Sequence, residues 1–329
     1  MVSLALGLLL LAAFIAVLQN CRREFAASES LAALQDSARQ ALSVIVPDIE
    51  HAGFFGFASS PVTRFTQGGR VIAGSDELRQ PDVLHAVAPV PALPEGAHDC
   101  GVNFAVDLEI AVQGNNNAFA AGVDARDCAP TAAAGGARAR ADTLTVRHAS
   151  RAQTRPLAGR LQLYSRRLEA HGPASLFADG RAPGPMDAES EVRDLEVRSY
   201  YIANDSVDRR RWPALRVKAL TEARGAAQFR DEEIMPGVED LQVEFGLRDP
   251  ADPQARLSFV APDLAGLRDR DVVAVRLWLR ICADRTESGY FDVRPLRYAD
   301  VEFIPSPVEA RRRRLLIQRT VNLRNVRTP

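Results

Sequence analysis

Lysine is almost missing from this chain. Lys218 is the only one, and the other forty of the 41 basic residues are arginine. That skew reads as base-composition bias in the coding sequence, not as forty separate guanidinium functions. Net charge is −1, so no overall field draws the protein toward nucleic acid or acidic lipid. Charge is lacking altogether from Met1 to Leu18, and glycine and proline are lacking from Leu8 to Val46. Nothing breaks a helix over that second stretch. No phosphate-cradling glycine loop with lysine, no His-Glu-x-x-His and no Gly-x-Ser-x-Gly elbow occurs. Strands and helices do not alternate at crossover spacing, which argues against a doubly wound sheet. Hydrophobic residues make up 47%, too many for a disordered chain.

What is present begins with one long rod. Met1 to Leu18, MVSLALGLLLLAAFIAVL, spans roughly 27 Å as a helix against about 30 Å of hydrocarbon. A cleaved secretory signal would need a basic region before the run and small residues after it. Instead Gln19-Asn20-Cys21-Arg22-Arg23 follows, and Arg22 and Arg23 alone would favour a cytoplasmic far side. Ala12, Ala13 and Ala16 form a small-residue face that either admits a second helix or simply meets lipid. Beyond it, Phe25, Leu31, Leu34, Ala38, Ala41, Leu42, Ile45 and Ile49 fall at three- and four-residue steps. Glu29, Asp36, Arg39 and Gln40 fill the opposite face. Pro47 is expected to kink or end the helix, and Gly53-Phe54-Phe55-Gly56 to stop it. The expected organisation is therefore an apolar helix over 1–18, its amphipathic continuation over 19–52, and a β-rich head over 53–329.

The head reads as antiparallel sheet. Leu241, Val243, Phe245 and Leu247 alternate with polar residues, as do Val273, Val275, Leu277, Leu279 and Ile281. Leu144 and Val146, Leu161 and Leu163, and Leu215 and Val217 repeat the period more briefly. Period-two alternation predicts strands with one face solvated. Turn signals separate them at Gly68-Gly69, Gly114 to Asn117, Gly135-Gly136, Ala182 to Pro185 and Asp249-Pro250. The fold class expected is α+β.

Candidate chemical sites are few. His51, His85, His98, His148 and His171 make no ligand pair at helical spacing, and each reads as structural or exposed. Cys21, Cys100, Cys128 and Cys282 match no zinc pattern. Cys282 reads as a small buried apolar residue, and a lipid anchor at Cys21 is disfavoured by Gln19-Asn20 before it. Asp99, Asp107, Asp124 and Asp127 with Asn115 to Asn117 fit no EF-hand and read as a turn with surface acids. Arg311 to Arg314, with Arg319, Arg324 and Arg327 beyond, would attract phosphate. Without an aromatic platform it reads instead as a solvated edge or hairpin before a final strand over 321–323. No catalytic residue, cofactor or metal is expected, and no nucleic-acid partner.

An apolar helix running into an amphipathic half and then a sheet-built head resembles type IV pilins and pseudopilins. The nearer resemblance is to PilW-type minor pilins. It rests on MVSLALGLLLL at Met1, on LQDSARQAL and DIEHAGFFG between Leu34 and Gly56, and on ADTLTVRHAS from Ala141. VRSYYIAND from Val197, PGVEDLQVEFGL from Pro236, VVAVRLWLR from Val272 and QRTVNLRN from Gln318 complete it. Prepilins carry a basic leader, a glycine, a phenylalanine and a glutamate ahead of such a run. That glutamate would lie two positions before Met1, so Met1 is expected to be internal to a longer frame. Six further residues would lengthen the helix to roughly 36 Å.

The resemblance implies a non-enzymatic minor pilin that primes pilus assembly. It implies a single pass of the inner membrane with the head in the periplasm, and later a place in the surface fibre. Its partners would be membrane lipid before assembly, the inner-membrane assembly machinery, and other minor and major pilins. Leu4, Gly7, Leu8, Leu11, Ala12, Ala13, Phe14, Ala16 and Leu18 would form the membrane and assembly surface. Leu31, Leu34, Ala38, Leu42, Ile45 and Ile49 would pack the helix on the head. In an oxidising periplasm Cys100 and Cys128 become the disulfide candidates, although four cysteines allow three pairings. The large minor pseudopilin of a type II secretion system is an alternative of the same shape. A signal-anchored periplasmic enzyme or ligand-binding module is an alternative of another class.

Overall fold

The computed structural model describes residues 2–58, 60–73, 105–106, 108–117, 134–167, 173–248, 256–264 and 272–325. Cys100 and Cys128, His85, His98 and His171, the four aspartates of the acidic loop, Asp249-Pro250 and Arg327 lie outside the described residues.

Helix α1 runs unbroken from Val2 to His51, roughly 75 Å at 1.5 Å per residue. It does not end at Pro47, which sits inside it. Proline deprives the helix of one donor, the one that would reach the Ser43 carbonyl, and so near the end the helix continues past it. His51 Nδ1 donates to the Pro47 carbonyl at 2.7 Å as an added tie in the last turn. Gly53, with φ +76°, then turns the chain out of the helix. Its N–H bonds to the Arg147 carbonyl at 3.0 Å, and Ala149 N–H bonds back to Phe54 at 2.6 Å. The helix exit is thus stitched to the head by backbone bonds.

The strands are β1 (Ser60–Gln67), β2 (Arg70–Ala73), β3 (Val112–Asn115), β4 (Thr143–Ala149), β5 (Ala158–Arg166), β6 (Pro173–Asp179) and β7 (Ser190–Ala203). They continue with β8 (Ala214–Ala223), β9 (Ala226–Pro236), β10 (Val238–Leu247), β11 (Ser258–Val260) and β12 (Val272–Cys282). The last are β13 (Leu296–Tyr298), β14 (Val301–Phe303) and β15 (Arg314–Asn322). A first sheet runs β2-β1-β6-β5-β7-β4-β3, with β8 on β7 and β9 on β8. A second runs β11-β10-β12-β15, and β13 with β14 makes a small hairpin. All described pairings are antiparallel except β1 with β6.

β7 is long because it changes partners. Residues 190–194 pair with β5, and 195–203 pair with β4 and β8. The chain crosses from the first sheet to the second at Gly237, where φ is +83°. A side chain there would sit 3.2 Å from the Cys282 carbonyl, so glycine suits both the turn and the space.

The main core lies where the trailing half of α1 meets both sheets. Leu34, Ala38, Ala41, Ile45 and Ile49 pack against Leu144, Val146, Tyr200, Leu241, Val243, Leu277 and Leu279. Leu42 is half-buried against the same cluster. Leu31 departs from the expected packing stripe and is 43% exposed. It lies one turn before Leu34, the first position along the helix that the head covers. A second cluster of Phe65, Leu161, Leu163, Leu176, Leu195 and Val197 fills the other end of the first sheet.

The expected solvated strand faces are largely covered. Every residue of β4 is buried, including Thr143, Thr145 and Arg147. On β12, Trp278 and Arg280 alternate with the core residues yet are buried too. Trp278 packs with Tyr298 and Val301 of the hairpin. The final strand begins at Arg314, earlier than the 321–323 expected, since its whole length pairs with β12.

Asp142 clamps the two sheets. Its backbone N–H reaches Leu241 at 2.8 Å. Its carboxyl accepts from the Asn117 and Val243 N–H groups at 2.7 and 2.8 Å. Burial nevertheless pushes its pKa up to about 7, and the carboxylates of Asp300 and Asp240 add to the rise. A raised folded pKa stabilises the fold fully below the unfolded value near 4, and that contribution fades as pH climbs through 7. Melting temperature should therefore fall between pH 5 and 7.5, at a slope of at most about 1.4 kcal/mol per pH unit. An Asp142→Asn protein should lose that slope.

The packing boundary on α1 gives a second expectation. Ile45→Ala and Ile49→Ala should each cost about 2–5 kcal/mol in chemical denaturation. Leu31→Ala should stay within roughly 0.5 kcal/mol. A comparable loss at all three would mean that the buried stripe starts earlier.

Candidate functional site

Among the described residues, the most apolar stretch of α1 has no buried side chain. Leu8, Leu11, Phe14 and Leu18 stand exposed, as do Gly7, Ala12, Ala13 and Ala16. Leu4 lies in the helix, and its side chain is outside the described residues. The apolar exposure continues to Phe25, which is 72% exposed. A helix apolar on all sides is stable only in lipid or against other protein. By length and composition it can cross a membrane.

The trailing half is joined to the head by a buried polar cluster. Asp48 falls on the same face as Ile45 and Ile49 and is 6% exposed. A carboxylate near a helix C-terminus opposes the helix dipole, so it needs a cation. Arg198 of β7 supplies one, its Nη1 donating to both Asp48 oxygens at 3.1 and 3.0 Å. Arg198 Nη2 also donates to Glu196 at 2.8 Å. The Tyr200 hydroxyl makes a short bond to Asp48, and His148 Nε2 of β4 lies 3.6 Å from Asp48 Oδ1. Burial pushes the Asp48 carboxyl up, but His148, Arg198 and Tyr200 together pull it below its ordinary value. Burial and the Asp48 charge push the Tyr200 phenol well above its own.

Two histidines that are far apart in the chain meet here. The rings of His51 and His148 lie 6.1 Å apart across the helix–strand seam. Helical spacing within the chain could not reveal that pairing. A signal for the cluster did exist: Asp48 is a carboxylate set on an apolar stripe, which demands a buried partner.

The arginine run is not a free basic patch. Arg314 makes two bonds to Glu239, at 2.7 and 2.9 Å. Arg280 adds a third to the same carboxylate at 3.1 Å. All three side chains are at most 7% exposed. The aromatic partner missing from the local sequence comes from β14, where Phe303 lies 3.7 Å from the Arg280 guanidinium and 5.1 Å from that of Arg314. Arg313 pairs with Glu287 at 2.7 Å, and Arg312 lies over Trp212. Arg324 pairs with Glu50 of α1 at 3.0 Å, while Arg311 and Arg319 are exposed. Arg314, Arg280 and Arg138 hold Glu239 ionised and its pKa low against the opposing effect of burial.

Asn116 and Asn117 bond Asp300 at 3.1 and 2.9 Å, so these amides serve as turn ties. Cys282 closes β12 buried and as a free thiol, and Cys21 is exposed on α1. Burial raises the Cys282 pKa, which keeps the thiol protonated.

A long helix with an exposed apolar leading half and a trailing half seated on largely antiparallel sheets makes an α+β architecture. Residues 199–325 match the family model PilW, described as type IV pilus-assembly protein W. The matched region starts within β7 and takes in β8 to β15. Among solved structures, a type IV-like pilin from Thermus thermophilus is similar at 16% identity. The match covers 56% of this chain and 80% of that one, with a TM-score of 0.26. No curated protein matches this chain.

Replacing Glu239 with alanine should leave Arg280 and Arg314 buried without their anion. The expected loss is about 3–5 kcal/mol in urea denaturation. A near-neutral result would mean that these arginines are not structural.

Proposed function

We propose that this protein is a non-enzymatic minor pilin that contributes to type IV pilus assembly and priming. The observation that carries the reading is the bare apolar half of α1 beside a trailing half buried in the head. Residues 1–18 serve as the membrane and filament-core segment, 19–52 as the connecting helix, and 53–329 as the periplasmic head. Leu4, Gly7, Leu8, Leu11, Ala12, Ala13, Phe14, Ala16 and Leu18 are the residues that exchange lipid for neighbouring helices.

The physical logic is a change of partner. Each large apolar side chain removed from water contributes about 1.5–3 kcal/mol, so a helix leaving lipid must find protein. Alanines at 12, 13 and 16 let another helix approach closely. The partners are then other minor and major pilins, with the inner-membrane assembly machinery acting on the anchored subunit. The family match supports a pilus role for the head, and the ion-paired arginines give no support to a nucleic-acid role.

Deleting residues 1–19 should yield a folded, water-soluble head that is absent from sheared pili, while the full chain is found in them. Circular dichroism and immunoblotting of the fibre fraction make the comparison. Recovering the truncated protein in fibres at full-length levels would refute the assembly role of the helix.

A further inference from the structure

We infer that His148, Asp48 and Glu196 form a binding site for one divalent transition-metal ion of the zinc class, at the seam where α1 meets β4 and β7. Each residue offers one ligand atom, and the three atoms lie within 4.8 Å of one another. They come from three separate elements, so the site exists only when the helix is docked.

The imidazole carries the argument. His148 Nδ1 lies 2.9 Å from the Ala149 carbonyl oxygen. A carbonyl can only accept, so Nδ1 holds a proton, and in the neutral imidazole Nε2 then presents its lone pair. The His148 residue is 3% exposed, and Nε2 has no hydrogen-bond partner. It points at Asp48 Oδ1, 3.6 Å away. In that neutral form two buried acceptors face each other, and either a proton on Nε2 or a metal ion must join them. That separation is close to what two ligands roughly 2 Å from a common ion would show. A histidine that donates one ring N–H to a carbonyl and turns the other nitrogen to a carboxylate is arranged as metal-binding histidines are.

Imidazole with two carboxylates suits zinc and its neighbours better than calcium or magnesium, which prefer oxygen alone. Glu196 is 27% exposed at its side chain and gives the ion a way in. Arg198 is the competitor, since its guanidinium spans Asp48 and Glu196. Its side chain is 33% exposed, so it can release Glu196 and turn toward solvent. Once bound, the ion would tie α1 to β4 and β7 and stiffen the angle between helix and head. This inference does not depend on the proposed role in pili.

The test uses the full chain in detergent, stripped with a chelator and titrated with zinc chloride, with cobalt chloride as a coloured substitute. One ion per chain, a raised melting temperature and cobalt absorption bands of nitrogen–oxygen ligation are expected. Glu196→Gln and His148→Gln should each weaken zinc binding at least ~10-fold. If His148→Gln does not fold, the more exposed Glu196→Gln decides the matter alone. Absence of zinc uptake, or uptake unchanged in the variants that fold, overturns the site. So does a melting temperature that responds to acid but not to zinc, because a proton would then fill the gap.

Discussion

The structure depends on the helix α1 having to meet two different surroundings along one continuous rod. Its trailing half gives Leu34, Ala38, Ala41, Ile45 and Ile49 to a core built by both sheets. Its leading half leaves Leu8, Leu11 and Phe14 exposed. Because the helix is continuous from Val2 to His51, the halves form one rod. The head fixes where the rod points, and the rod carries an apolar surface that only lipid or protein can cover.

Buried carboxyl groups act as the joints of this arrangement. Asp48 holds the helix end to β7 through Arg198 and Tyr200. Asp142 holds the two sheets together, and Glu239 gathers Arg280 and Arg314 beneath the small hairpin. Buried ion pairs are weak contributors to net stability compared with apolar packing, but they tolerate little misalignment. Their placement at the three seams, and not inside one layer, is consistent with setting the angles between helix, first sheet and second sheet. The same economy explains the arginines, since a planar guanidinium can grip a carboxylate and lie on an aromatic ring at once.

Much of the fold is legible from local pattern. The three- and four-residue steps from Leu34 to Ile49 mark the buried stripe, because helix geometry repeats every 3.6 residues whatever the neighbours are. The alternation in β10 and β12 likewise marks strands. Leu31 fits the same stripe and is still exposed, because periodicity says which face is apolar and not how far the head extends along it. Pro47 misleads for a related reason: its missing N–H frees the Ser43 carbonyl alone, and the loss of one bond near the end does not stop the helix. Arg311 to Arg314 looked solvated because Glu239 and Phe303, which cover Arg314, are distant in the chain.

By itself the amino-acid order determined the rod, its change of character along the length, and the sheet-built head, since each follows from a short-range period. Only the tertiary structure decided which apolar residues are covered, which arginines are neutralised, and that Asp48, His148 and Glu196 share one small space. Those outcomes rest on contacts between residues far apart in the chain, such as Asp48 with Arg198, 150 positions away. Burial and charge compensation are properties of a place in the fold, and no local repeat encodes them.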